Sequence, residues 1–121
     1  RKIQIWSYNV ETIIAEKFEA IVKRGVLSTR IRDYYDVYML INTQNKIIDK
    51  KTLKDAITLT AQHRGTNEII KDWKKIVEKI ANDSKMQQQW KRYQKDNFYA
   101  EEIEYKDLIN AISKVGEIFD N

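Results

Sequence analysis

The chain has 121 residues, a formal net charge of +4, no cysteine and a single histidine. This length is typical of one domain, and the composition excludes a disulfide framework, a cysteine-based metal site and a cluster of histidine ligands. There is no apolar run long enough to span a membrane and no signal-peptide pattern, so we expect a cytoplasmic protein without a membrane partner. Because the first residue is Arg1, we expect the chain to be part of a longer protein.

The predicted elements begin with one short strand and continue as helices, which the absence of proline favours. Apolar and polar residues alternate over residues 2–8, which is the pattern of a strand. The first helix is predicted to begin at the N-cap Asn9 and to end at Gly25, and the second to run from about residue 28 to residue 42.

Four further helices complete the prediction. The third helix has Asp49 as its N-cap and ends near Gly65, and the fourth covers residues 66–82. The apolar stripe of the fourth helix consists of Ile69, Trp73, Ile76 and Ile80. The last two helices are marked by Met86, Trp90 and Tyr93, and by Leu108, Ile112, Val115 and Phe119.

The predicted fold class is therefore mainly α, a helical bundle of about six helices preceded by one short N-terminal β-strand. We expect a single domain over residues 1–121. Its parts are the strand at residues 1–8, a helical hairpin at residues 9–45 and a C-terminal helical bundle at residues 46–121.

One lysine of the first helix falls beside apolar surface. The apolar face of this helix is centred on Ile14, Phe18 and Ile21. At 100° per residue, Lys17 lies at the edge of that face, whereas Glu16, Glu19 and Lys23 fall on the opposite, solvated side. Burying an unpaired ammonium group costs free energy, so Lys17 needs a carboxylate, a phosphate or a route to water.

The second helix also directs charges toward apolar surface. Its buried face is defined by Tyr34, Tyr38 and Ile41. Arg30 falls within this face, Asp33 lies on its flank and Asp36 lies further round. The short link after Gly25 predicts antiparallel neighbouring helices, which bring Lys17, Arg30 and Asp33 together in a partly exposed concavity at one end of the hairpin.

Two interpretations of these charges stay open at this point. The first is a structural salt bridge between Lys17 and Asp33, because partly buried ion pairs are common in helical domains. The second is a site that binds phosphate or handles a proton.

The fifth predicted helix also has two interpretations. It combines Lys91, Arg92 and Lys95 with Trp90 and Tyr93. Such a mixture suits an RNA surface that contacts phosphates and stacks bases. It is more often a solvated face beside core aromatic residues.

Two segments resemble motifs of a known family. Residues 10–20 read VETIIAEKFEA and resemble the ETxxAEKxxA segment of AbiEii-type nucleotidyltransferases. Residues 29–38 read TRIRDYYDVY and are similar to that family's TRxKDxYDLY segment. The looser pattern that resembles the family's helical C-terminal region consists of Leu53, Ala56, Thr60, Arg64 and Trp90.

The resemblance implies the C-terminal part of a polymerase-β-like nucleotidyltransferase, with the strand at residues 1–8 coming from the catalytic core. It implies a toxin of a toxin–antitoxin or abortive phage-infection pair. Such an enzyme transfers a nucleotide from an NTP to an acceptor, which is tRNA in some relatives. Mg²⁺ and NTP are then cofactors of the full-length parent, and a cognate antitoxin protein or repressor is a partner.

The resemblance also implies roles for residues. By match to the motifs, Lys17 binds NTP phosphate and Asp33 is the essential acid, acting either as a base toward the acceptor hydroxyl or by fixing Lys17 or Arg30. Arg30 is a second phosphate contact, and Asp36 orients its neighbours. We thus predict Lys17, Asp33 and Asp36 as catalytic residues, and Lys17 and Arg30 as NTP-binding residues.

The family's early motif, a Gly-Ser turn with an acidic pair that ligates Mg²⁺, has no counterpart in these 121 residues. We therefore expect no metal site and no bound cofactor here, and no activity from this stretch alone. The alternative function is a non-catalytic helical protein-interaction module whose salt bridges are structural.

Overall fold

The computed structural model describes residues 9–121, so the strand predicted at residues 1–8 lies outside the described residues. Over residues 9–121 the fold is mainly helical, as predicted, with seven α-helices and no strand. The helices are α1 (Val10–Arg24), α2 (Ile31–Thr43), α3 (Lys50–Arg64), α4 (Asn67–Lys71), α5 (Trp73–Ala81), α6 (Ser84–Asp96) and α7 (Tyr105–Asp120). Two short 3₁₀ turns are Gly25–Leu27 and Phe98–Ala100.

The predicted ends of the first and third helices are confirmed by their capping interactions. The side chains of Asn9 and Asp49 accept backbone N–H bonds at 2.7 and 2.8 Å, which satisfies donors that a helix start leaves unpaired. Gly25 and Gly65 follow the two helices with φ of 54° and 67°. This left-handed region favours glycine, so these two residues allow the chain to leave each helix.

The second helix begins three residues later than predicted, at Ile31 rather than Ser28. The Ser28 hydroxyl oxygen accepts a hydrogen bond from the Arg30 backbone N–H at 3.0 Å, and this local bond competes with the first helical turn. Arg30 is consequently the N-cap residue, and its side chain is 57% exposed. The prediction that Arg30 lies within the buried face of the helix was wrong.

The fourth predicted helix is divided at Asp72 into α4 and α5. The backbone N–H of Asp72 donates to the carbonyl three residues earlier, at 3.0 Å, so the helix tightens and restarts at this point. Ile69 is therefore exposed and Ile76 only half-buried, contrary to the predicted stripe. The residues of this region that are buried instead are Ile70, Trp73, Val77 and Ile80.

Helix α1 lies at the centre of the bundle and packs against α2, α3, α4 and α5. Helix α7 closes the opposite side by packing on α2, α3 and α5. The largest fully buried side chains include Trp90, Tyr34, Phe18, Ile14, Ile21 and Leu53. Two hydrogen bonds of buried side chains also join distant parts of the bundle. The Glu11 carboxylate accepts the Asp49 backbone N–H at 2.7 Å. The Trp90 indole N–H donates to the Ile103 carbonyl at 2.9 Å.

Helices α7 and α5 approach each other closely at Gly116, where an added Cβ would lie 2.5 Å from ring atoms of Trp73. The Trp73 ring has little room to move, because it also packs edge-on against Phe18 and donates to Asp120 at 3.1 Å. We expect Gly116→Ala to destabilise the domain by about 1–3 kcal/mol through overpacking. The gain in helix propensity, about 1 kcal/mol, offsets only part of this cost.

Denaturant unfolding of Gly116→Ala beside Asn110→Ala measures this difference. Asn110 is an exposed residue of the same helix, so its substitution changes helix propensity without a clash. A Gly116→Ala variant as stable as wild type would show that the contact with Trp73 is not close in solution.

Candidate functional site

The hairpin of α1 and α2 brings the predicted site residues together. The Lys17 ammonium group lies 3.4 Å from an Asp33 carboxylate oxygen and 3.0 Å from an Asp36 carboxylate oxygen. Lys17 pairs with Asp36, whereas Arg24, which comes later in α1, reaches Asp33, which comes earlier in α2. The two helices are therefore antiparallel, as predicted. The predicted ion pair is present, and it has a second acid, Asp36, that lies closer to Lys17 than Asp33 does.

Asp33 is surrounded by three cations although its side chain is only 6% exposed. Lys17 and the Arg30 guanidinium both lie 3.4 Å from its oxygens, and Arg24 lies at 3.9 Å. Arg24 was not among the predicted site residues. A signal for it exists in the sequence, because Arg24 follows Lys17 by seven residues and so shares its helix face.

These groups line a concavity of about 560 Å³ on the surface of the hairpin. Its positively charged residues are Lys17, Lys23, Arg24, Arg30 and Arg64, and its negatively charged residues are Glu16, Glu19 and Asp33. The lining has five cations against three anions, and Asp36, which pairs with Lys17, is a fourth acid, so the site keeps a positive excess of one charge, which suits a negatively charged ligand. A second concavity of similar volume, at the start of α3 and the end of α7, contains none of the predicted site residues.

Glu19 is another residue that the sequence analysis placed wrongly. It was predicted on the solvated side of α1, yet it is 1% exposed. Its carboxylate accepts hydrogen bonds from the Arg64 guanidinium at 2.7 Å and from the Thr66 hydroxyl at 2.9 Å. Helices α3 and α4 pack on this side of α1, so Glu19 is enclosed and holds Arg64 at the concavity.

The phenol of Tyr34, next to Asp33 in the chain, is buried and has no hydrogen-bond partner among the residues described. Burial raises the pKa of Tyr34 well above its ordinary value, and the nearby groups Tyr105, Asp83 and Asp33 raise it further. Tyr34 is therefore a neutral packing residue at physiological pH.

Mg²⁺ does not fit the site that residues 9–121 form. This part of the chain contains no group of three or more Asp, Glu, His or Cys side chains that could hold a metal ion. Asp33 and Asp36, the acids of the site, are paired with Lys17 instead. The arrangement suits phosphate oxygens, because arginine and lysine side chains can donate hydrogen bonds to them.

We expect Glu19→Ala to destabilise the domain by about 1–3 kcal/mol, because it leaves the buried Thr66 hydroxyl without its acceptor. The cost stays below that of a fully buried ion pair because the Arg64 side chain is 43% exposed and can be solvated. Thermal unfolding measured beside Glu16→Ala, an exposed acid of the same helix, isolates the effect of burial. Equal stability of the two variants would contradict the expected destabilisation by Glu19→Ala.

The comparisons with known proteins agree with the resemblance of the two motifs. The family model of the nucleotidyl transferase AbiEii toxin of type IV toxin–antitoxin systems matches residues 1–117. No curated protein and no solved structure matches the chain. Among the described helices none is long and apolar enough to cross a membrane. Because the match covers nearly the whole chain, including both motifs, the protein belongs to the AbiEii nucleotidyltransferase toxin family.

Proposed function

We propose that this chain binds the phosphates of an NTP and helps to transfer its nucleotide to an acceptor, as part of a toxin that a cognate antitoxin counters. The family supports the nucleotidyltransferase and toxin assignments in general. The observation that carries the proposal for these residues is the convergence of Lys17, Arg24 and Arg30 around Asp33 at an open concavity.

The three cations remain accessible to a ligand. Their side chains are 27%, 40% and 57% exposed for Lys17, Arg24 and Arg30, so each can exchange part of its hydration for phosphate oxygens. Phosphoryl transfer depends chiefly on positioning and charge neutralisation, which these groups supply. Lys17 and Arg30 are thus our NTP-binding residues, and Arg24 joins them.

Asp33 and Asp36 have different roles in this proposal. Asp33 is almost completely buried among its cations, so its carboxylate fixes Lys17 and Arg30 in position. The side chain of Asp36 is 26% exposed and orients Lys17 from the other side. Both acids are then needed for transfer because they determine where the cations point.

Nucleotidyltransferases of this kind generally use NTP and Mg²⁺. Residues 9–121 offer no metal ligand group, and the sequence has no Gly-Ser turn followed by an acidic pair. We place the metal ligands in a part of the toxin outside these 121 residues. We propose an RNA such as tRNA as the acceptor. Because RNA and NTP are both cytoplasmic, we propose the cytoplasm as the location of the activity.

One observation favours the alternative function. Lys17 and Arg30 already have a carboxylate partner within 4 Å, as expected if the ion pairs were only structural. The alternative is a non-catalytic interaction module, and the next experiment separates it from the enzyme.

Lys17→Ala and Asp33→Ala in the full-length protein should each lower nucleotide transfer by about 100-fold or more, because the phosphate contact or its positioning is lost. Stability should change little for Lys17→Ala, by at most about 1 kcal/mol, since Arg24 and Arg30 still neutralise Asp33. Transfer of labelled nucleotide to total RNA and the melting temperature are measured for each variant.

Lys51→Ala and Asp55→Ala are the matched controls. These residues form an exposed ion pair at 3.0 Å on α3, so their removal tests the general effect of losing a lysine or an aspartate. Site variants that lose stability but keep full activity below their melting temperature would establish the structural alternative.

The 121 residues alone should fold as a mainly helical domain and transfer no nucleotide, because the carboxylates that bind the metal are missing. Circular dichroism and a labelled-NTP assay measure the two expectations. Efficient transfer by this stretch alone would refute the division of the active site, and a disordered spectrum would refute independent folding.

A further inference from the structure

An aromatic surface is formed by Tyr35 of α2, Tyr93 of α6, and Phe98 and Tyr99 of the following turn. The Tyr35 ring centroid is 5.7 Å from that of Tyr93 and 5.4 Å from that of Tyr99. The Phe98 ring is 6.4 Å from the Tyr99 ring. Beneath them the Trp90 ring is stacked on Tyr93 at 5.3 Å and is buried, which confirms Trp90 as a core residue.

Packing alone does not account for this surface. Phe98 is 85% exposed and Tyr99 is 51% exposed, so neither residue gains the stabilisation of a buried ring. The Tyr99 ring is nevertheless held in place, because its hydroxyl group is 2.8 Å from that of Tyr93 and donates to the Asn97 side chain at 3.1 Å. Ordered and exposed aromatic residues in a group are typical of a binding site.

The aromatic surface is connected to the charged site through α2, where Tyr35 precedes Asp36 in the chain. Tyr35 and Asp36 lie three and four residues after Arg32, so each of them neighbours Arg32 on the helix surface. Asp36 binds Lys17 at 3.0 Å. The pKa of Tyr35 is raised by burial first, then by Tyr99 and by the Asp36 carboxylate, while Arg32 acts in the opposite direction, so these groups share one electrostatic environment.

We propose that the aromatic surface stacks an unpaired nucleobase that belongs to a nucleotide at the charged site, either the NTP or the terminal nucleotide of the acceptor. This inference rests on the proposed function. Aromatic side chains stack on bases of any identity, because every base has a π face. The surface therefore contributes affinity without selecting one base.

The exposed charges near the aromatic surface are of both signs. After Trp90, α6 carries the cations Lys91, Arg92 and Lys95 and the acid Asp96, and the acids Glu101 and Glu102 follow beyond the end of the helix. The proposed phosphate contacts remain Lys17, Arg24 and Arg30.

Tyr99→Ala and Phe98→Ala in the full-length protein test the stacking surface. Loss of stacking on one base should raise KM for the NTP or for the acceptor RNA roughly five- to 150-fold. Tyr99→Phe keeps the ring but loses the hydroxyl contacts that hold it, so its KM should rise less than that of Tyr99→Ala. Ile47→Ala removes a side chain that is 65% exposed in the turn after α2 and serves as the control.

A rise confined to the KM for NTP supports the proposal with the NTP as the source of the base. A rise confined to the acceptor RNA supports it with the acceptor's terminal nucleotide as the source. Unchanged KM values for both substrates in both alanine variants would overturn it, as would an equal rise in Ile47→Ala.

Lys17→Ala in the same assay keeps the two proposals distinguishable. If it abolishes transfer while Tyr99→Ala changes neither KM, the stacking surface is refuted and the proposed function stands. If transfer survives Lys17→Ala, the proposed function is refuted, and the KM values of Tyr99→Ala still decide whether a base stacks on this surface.

Discussion

The burial of the Asp33 carboxylate is the constraint on which the α1–α2 hairpin depends. A carboxylate with 6% exposure is tolerated only when cations replace the water it has lost. Two of those cations, Lys17 and Arg24, belong to α1, and the third, Arg30, belongs to the link before α2. These ion pairs hold α1 and the start of α2 in the register that also forms the charged concavity.

Features determined by local chemistry could be predicted from the sequence. Asn9 and Asp49 begin helices because a short polar side chain reaches the N–H groups of the next turn, whatever packs around it. Gly25 ends α1 because the required backbone conformation favours glycine. The meeting of Lys17 with Asp33 followed from two helix faces and one short link, and it was also implied by the family motifs.

Features determined by distant packing could not be predicted. Glu19 was predicted on the solvated side of α1, because the sequence of this helix alone does not show that α3 and α4 pack there. The break at Asp72 has no proline or glycine to mark it, and it moved the buried stripe from Ile69 to Ile70. These two outcomes depend on packing across the whole bundle. The later start of α2 has a local cause instead, because the Arg30 backbone N–H donates to the Ser28 hydroxyl oxygen and this bond competes with a helical turn.

The Lys17–Asp33 pair of the charged site is local in sequence, whereas a pair that closes the bundle is not. Lys17 and Asp33 are 16 residues apart, but Trp73 and Asp120 are 47 residues apart. The entropy lost on closing a chain segment grows with the logarithm of its length, so closing the shorter segment costs about 1 kcal/mol less. We therefore expect partial unfolding that detaches α7 from α5 to leave the α1–α2 hairpin closed.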